Sequence, residues 1–96
     1  MRNFREWDIY KDGMNFVKEI YILTNGLPKQ EIYGKSSQIR RASVSIVNNI
    51  AEGSAKSSSK DFNRFLEMSL GSAIEAETLL NIIKDLEYCN TEKIYD

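Results

Sequence analysis

A chain of 96 residues with five glycines, one proline, one cysteine and no histidine carries a formal net charge of −1. It can bury roughly 60–65% of its unfolded surface, so one thin core is available, and oligomerisation is a common remedy for that shortage. Cys89 has no partner for an internal disulfide, one cysteine without histidine cannot build a metal cluster, and the balanced charge gives no blanket attraction to nucleic acid.

Residues up to about Arg5 read as a loose arm, and their charges occupy the place where a signal peptide needs an apolar run. No apolar stretch approaches membrane length. A soluble, cytoplasmic protein with no membrane contact is expected. From Glu6 the pattern turns helical. Trp7, Tyr10, Met14, Val17 and Tyr21 share one face, and Ile9, Phe16, Ile20 and Leu23 an adjacent one, so burial on two sides is expected. Asn25-Gly26 stops this helix, with Gly26 expected in the left-handed conformation, and Leu27-Pro28 reinforces the break. Lys29 to Gly34 is a connector with room for one helical turn.

Ser36 or Ser37 is the expected N-cap of a second helix that runs to about Glu52 and ends at Gly53. Ile39, Ser43, Ile46, Ile50 and Gly53 form its apolar seam. Gln38, Arg41, Ser45, Asn49 and Glu52 form a polar, amide-rich stripe beside it. Ser54 to Ser59 is a short polar loop, where Ser58 and Asp61 resemble a capping box.

The third helix spans about Ser59 to Tyr88. Phe62, Leu66, Ser69, Ala73, Ala76, Leu80 and Ile83 keep the four-three step of a bundle seam. Its small middle residues admit a neighbouring backbone. Phe65, Leu70, Ile74, Leu79, Ile82 and Leu86 add apolar surface outside the seam, more than one small domain covers. Thr91 is a plausible new N-cap, and Glu92 to Asp96 begins a fourth helix that is cut off almost at once. The expectation is an all-α, single-domain, up-down-up-down four-helix bundle over residues 1–96, its fourth helix short or truncated.

The run from Ser36 to Leu80, SSQIRRASVSIVNNIAEGSAKSSSKDFNRFLEMSLGSAIEAETLL, resembles the signature of the bacterial four-helix bundle proteins. These were first noticed as reading frames in intervening sequences of 23S ribosomal RNA genes. Ser37-Gln38-Ile39-Arg40-Arg41-Ala42, Asn49-Ile50-Ala51-Glu52-Gly53 and Leu70-Gly71-Ser72 are specific at this spacing, and the similarity extends from Trp7 to Leu86. The resemblance implies a left-handed bundle that assembles as a ring, a homopentamer. It also brings in a related group, the accessory variability proteins of diversity-generating retroelements, which form a strongly basic barrel that binds nucleic acid and a reverse transcriptase. Val47 stands where the family often has proline, so the second helix is expected to be straight.

Catalysis has little to stand on. There is no nucleophile elbow and no phosphate loop, and Glu75 and Glu77 point to different faces of one helix. Glu-x-x-His, which di-metal bundles use, is absent. The chain is therefore expected not to be an enzyme, with no cofactor and no metal.

Charge is unevenly spread. Six basic residues between positions 35 and 64 (Lys35, Arg40, Arg41, Lys56, Lys60 and Arg64) face two acidic ones, a surplus of +4, and the remaining segments sum to −5. These six are the candidate RNA or DNA contacts. In a ring the cluster would repeat around one rim and become multivalent. The alternative is pairing with Glu52, Asp61 or a neighbouring subunit's carboxylates. No aromatic interleaves with these bases, so base stacking is not expected. Gln38, Arg41, Asn49 and Glu52 suit a subunit interface or polar network, the alternative being a channel lining. Trp7, Tyr10 and Tyr21 read as core or subunit-contact aromatics.

Two functional readings follow. The first is a non-enzymatic, homo-oligomeric scaffold or adaptor with a nucleic-acid-binding rim. The second is a protein–protein interaction module with no nucleic-acid role.

Overall fold

Three helices make up most of the fold: α1 (Asp8–Asn25), α2 (Lys35–Ser54) and α3 (Ser59–Asp85), with 3-10 turns at Phe4–Glu6 and Lys29–Glu31. This computed structural model describes residues 2–31 and 34–86. The Tyr88 end of the third helix, Cys89 and the fourth helix expected from Thr91 lie outside those residues. Among the described residues the architecture is all-α, with three helices and no strand.

Local chemistry explains most of the helix ends. Ser58 is the N-cap of α3, its hydroxyl accepting from the Asp61 amide at 3.1 Å, as the capping pattern requires. Two other expected ends differ. Gly34, not Ser36 or Ser37, precedes α2, so Ser36 falls inside the first turn, where it is buried. Gly26 is right-handed (φ −91°, ψ 0°), its amide bonding to the Leu23 carbonyl at 3.1 Å. The chain is turned instead by the Leu27-Pro28 pair, with Leu27 drawn into the core.

Gly53 does not end α2, which continues unbroken to Ser54. A Cβ placed on Gly53 would lie 2.7 Å from Phe65 Cβ, so the missing side chain is what lets α2 and α3 touch. Gly13 does the same for α1 and α2, since a Cβ there would meet Val47 Cγ1 at 2.6 Å. Gly71, beside the seam of α3, has open space around it.

The N-terminal residues are not a loose arm. Phe4 is buried and meets Tyr10 edge-on, with ring centroids 5.0 Å apart. Arg2 Nη1 donates to the carbonyls of Lys56 at 2.7 Å and Ser54 at 3.3 Å. A cation is thus held at the C-terminal end of α2, where the helix leaves carbonyls unpaired and its dipole is negative.

Contacts between helices give their directions. Gly13 meets Val47 while Thr24 meets Arg40, so α1 and α2 are antiparallel. Gly53 meets Phe65 while Ser45 meets Ser72, so α2 and α3 are antiparallel too. Helix α2 is the centre: both neighbours pack on it, and α1 and α3 touch each other little. The molecule measures 47 × 21 × 18 Å, its long axis set by α3.

Ile20, Leu27, Ile39, Ala42, Ala76, Leu79 and Ile83 form the core, with Phe16, Leu23, Ile46 and Leu80 packed against it. Phe65 and Leu79, expected outside the seam of α3, are buried within it. Conversely, α1 is covered on one stripe only. Ile9, Met14 and Tyr21 are 56%, 38% and 40% exposed, because among the described residues α2 is the one helix that packs extensively on α1.

Candidate functional site

The six candidate cations separate into two groups. Lys56, Lys60 and Arg64 stand at the α2–α3 turn and the first turns of α3. Lys35, Arg40 and Arg41 stand near the opposite end of α2, about 20 Å away at 1.5 Å per helical residue.

At the turn the geometry rests on two phenylalanines. Lys56 Nζ lies 4.8 Å and Arg64 Cζ 4.9 Å from the centre of the Phe65 ring. Arg2 Cζ lies 4.3 Å from the centre of the Phe62 ring, whose other neighbour is Trp7 at 5.7 Å. The helix start set by Ser58 puts Phe62 and Phe65 on the inner side and leaves Lys60, Asp61 and Arg64 outward and exposed. The expectation that no aromatic accompanies these bases is therefore wrong. Phe65 is buried and Phe62 half-buried, so the rings position cations and offer no open face for a base.

The ion pair at this end is a loose one, Arg64 Nε to Asp61 Oδ1 at 3.9 Å, with both side chains more than half exposed. Pairs of that kind contribute about 0–1 kcal/mol. Sequence reasoning missed Arg2. It is 54 residues from Lys56, no local pattern links them, and tertiary contacts such as that of Trp7 with Phe62 bring the N-terminus to this turn.

The other group behaves differently. Arg40 joins helices: Nε donates to Thr24 Oγ1 at 2.6 Å, one Nη donates to Asn25 Oδ1 at 2.9 Å, and the guanidinium stacks 4.4 Å from the centre of the Tyr21 ring. Thr24 is buried, and its hydroxyl donates in turn to the Ile20 carbonyl at 2.8 Å. This arrangement holds the end of α1 against the start of α2. Lys35 is half-buried at the first residue of α2, and Arg41 is exposed on its outer face.

The polar stripe of α2 lies along an open groove bordered by Tyr21, Ser37, Arg41, Val44, Asn48 and Glu52. Ser45 and Asn49 edge it toward α3. Ser72 Oγ and Ser45 Oγ are 2.8 Å apart, and Asn49 Nδ2 donates to the Ser45 carbonyl at 2.9 Å and to Ser45 Oγ at 3.1 Å. This small network sets the register of α2 on α3 together with Ser69, whose hydroxyl donates to the Ile46 carbonyl at 2.8 Å. Gln38, Arg41 and Glu52 are exposed, and no ion pair joins Arg41 to Glu52. They are about 16 Å apart along the helix, beyond each other's reach.

A second groove runs between α1 and α3. Ile46 of α2 is on its floor, Phe16 and Leu80 are on its walls, and Ile9, Leu70 and Ile74 are at its lips. Among the described residues its charged lining is Asp12 and Glu77. No cluster of three potential metal-ligating side chains occurs among the described residues, and no described helix is long and apolar enough to cross a membrane.

The sequence model of the 23S rRNA-intervening sequence protein family matches residues 5–96. No curated protein matches the chain.

Proposed function

The chain belongs to the 23S rRNA-intervening sequence protein family, and from that footing we propose that it is a non-enzymatic, homo-oligomeric scaffold that binds nucleic acid, RNA in the first place, through its basic end. The observation that carries this reading is the gathering of Arg2, Lys56, Lys60 and Arg64 around one turn, opposed by one weakly engaged carboxylate. Cations held on ring faces and carbonyls, and not neutralised by acids, are free to release counterions from phosphate.

The ring that the resemblance implies, a pentamer, multiplies the patch. The outer face of α2 is the proposed subunit contact. Gln38, Arg41 and Glu52 have no side-chain hydrogen bond or ion pair among the described residues, Asn49 borders them, and Tyr21 and Val44 supply apolar area beside them. The groove between α1 and α3 is the fourth position of the bundle, so a helix seated there completes the four-helix arrangement.

The test is a salt titration of RNA and DNA binding with the full chain, alongside a native mass measurement. Log affinity should fall with log salt by about 0.7–0.9 per phosphate contact. Replacing Lys56, Lys60 and Arg64 together with alanine should lower that slope by about 2. An unchanged slope would remove the nucleic-acid role and leave a protein–protein interaction module. A monomeric mass at micromolar concentration would remove the ring.

A further inference from the structure

We propose that the hollow between Arg2 and Lys56 is a seat for one phosphodiester of a nucleic-acid strand, gripped by the free edge of the Arg2 guanidinium. This rests on the nucleic-acid reading above and adds which group of the strand is held, and by which atoms. The hollow is lined by Arg2, Ala55, Lys56 and Ser57, with no carboxylate on its wall. Glu6, Glu52 and Asp61 are the acids nearest these cations in sequence, and none of them lines it.

A guanidinium carries five N–H bonds in one plane. The two on Nη1 of Arg2 are spent on the carbonyls of Lys56 and Ser54, at 2.7 and 3.3 Å. The Arg2 backbone amide is tied to the Ser54 carbonyl as well, at 3.4 Å, and one face of the group lies on the Phe62 ring. What remains is the Nε–Nη2 edge, whose N–H bonds meet no acceptor among the described residues. That edge is a fork that fits two oxygens of one phosphate. The side chain is already ordered, so an incoming ligand does not have to order it.

Lys56 belongs to both parts of the seat. Its carbonyl fixes Arg2, and its Nζ, 4.8 Å from the centre of the Phe65 ring, supplies a second cation. Ser57 adds an exposed hydroxyl. A phosphodiester brings two non-bridging oxygens and a single negative charge, which suits a fork beside one ammonium. The hollow is open, so a strand can run on in both directions from the seated group.

The experiment uses the full chain and a fluorescent RNA of about 12 nucleotides, made with or without a terminal phosphate. Arg2→Lys keeps the charge and loses the fork. It should weaken binding about five- to tenfold at every salt concentration, while the salt slope stays that of the parent. In the parent, the Arg2 Nε–H signal in a proton–nitrogen correlation spectrum should shift when RNA is added, a response that a purely structural arginine would not give. The two RNAs should bind alike. An unmoved Nε signal, or parent-like binding by Arg2→Lys, would overturn the seat and leave Arg2 as a strap on the α2–α3 turn. A requirement for the terminal phosphate would overturn the assignment to an internal phosphodiester. No binding of either RNA by the parent at low salt would instead remove the nucleic-acid reading on which the seat rests.

Discussion

Replacing Gly53 with alanine adds one methyl group where α2 and α3 come into contact. The new Cβ would sit 2.7 Å from Phe65 Cβ and 3.2 Å from Phe62 Cδ1, where carbon atoms prefer about 3.5–4 Å. Phe65 Cβ is fixed to the α3 backbone and cannot swing aside, and its ring is buried, so α2 and α3 must separate by most of an ångström. Overpacking of this kind costs about 1–3 kcal/mol. Alanine's better helix propensity returns about 1 kcal/mol, and because the 2.7 Å clash is against a backbone-fixed Cβ and so belongs in the upper half of that range, the net loss is about 1–2 kcal/mol. Gly71→Ala is the matched control: same residue change, same helical conformation, nothing within 4 Å. It should gain about 0.5–1 kcal/mol. Urea and thermal unfolding followed by far-UV circular dichroism would read the difference, with protein concentration held constant because any assembly adds to apparent stability. At about 4–8 °C per kcal/mol for a domain of this size, the two variants should differ by 10 °C or so. Gly53→Ala as stable as the parent would refute the account of Gly53 as the point of helix contact.

Further expectations follow from single side chains. Ser58→Ala removes the hydroxyl that accepts from the Asp61 amide and should cost about 1 kcal/mol in the same unfolding assay, with Ser58→Asp retaining the cap. Ile83→Ala, at a fully buried core site, should cost about 2–5 kcal/mol, whereas Ile22→Ala, 73% exposed, should stay within about 0.5 kcal/mol. Arg40→Ala breaks the hydrogen bonds to Thr24 and Asn25. It should cost about 1–2 kcal/mol and raise amide exchange rates in the last turn of α1, while Arg41→Ala should leave those rates unchanged.

Reading periodicity worked where neighbours in sequence are neighbours in space. The three helices, the Ser58–Asp61 cap and the helical turn at Lys29–Glu31 were all legible. Helix α2 runs unbroken through Val47. The polar stripe was visible as a stripe, but its division was not. Ser45 and Asn49 turn toward Ser72 of α3, and Arg41 and Glu52 stay outside. Spacing along one helix gives angles around its axis, not which sector a neighbour covers. The basic set met the same limit. Six charges counted as one group became two ends of a helix, with Arg40 engaged in joining α1 to α2.

The order of amino acids alone determined an all-helical chain, its turn positions and its surplus of apolar faces, because hydrogen bonds four residues apart and capping chemistry are local. Tertiary packing alone decided that Arg2 joins the cations at Lys56, that Gly53 is a contact and not a terminus, and that Ile9 of α1 and Leu70 and Ile74 of α3 border one groove. Each of those depends on two segments brought together across the fold, and the energy that brings them together is the burial of side chains such as Phe4, Phe65 and Ile39, which no short window of sequence contains.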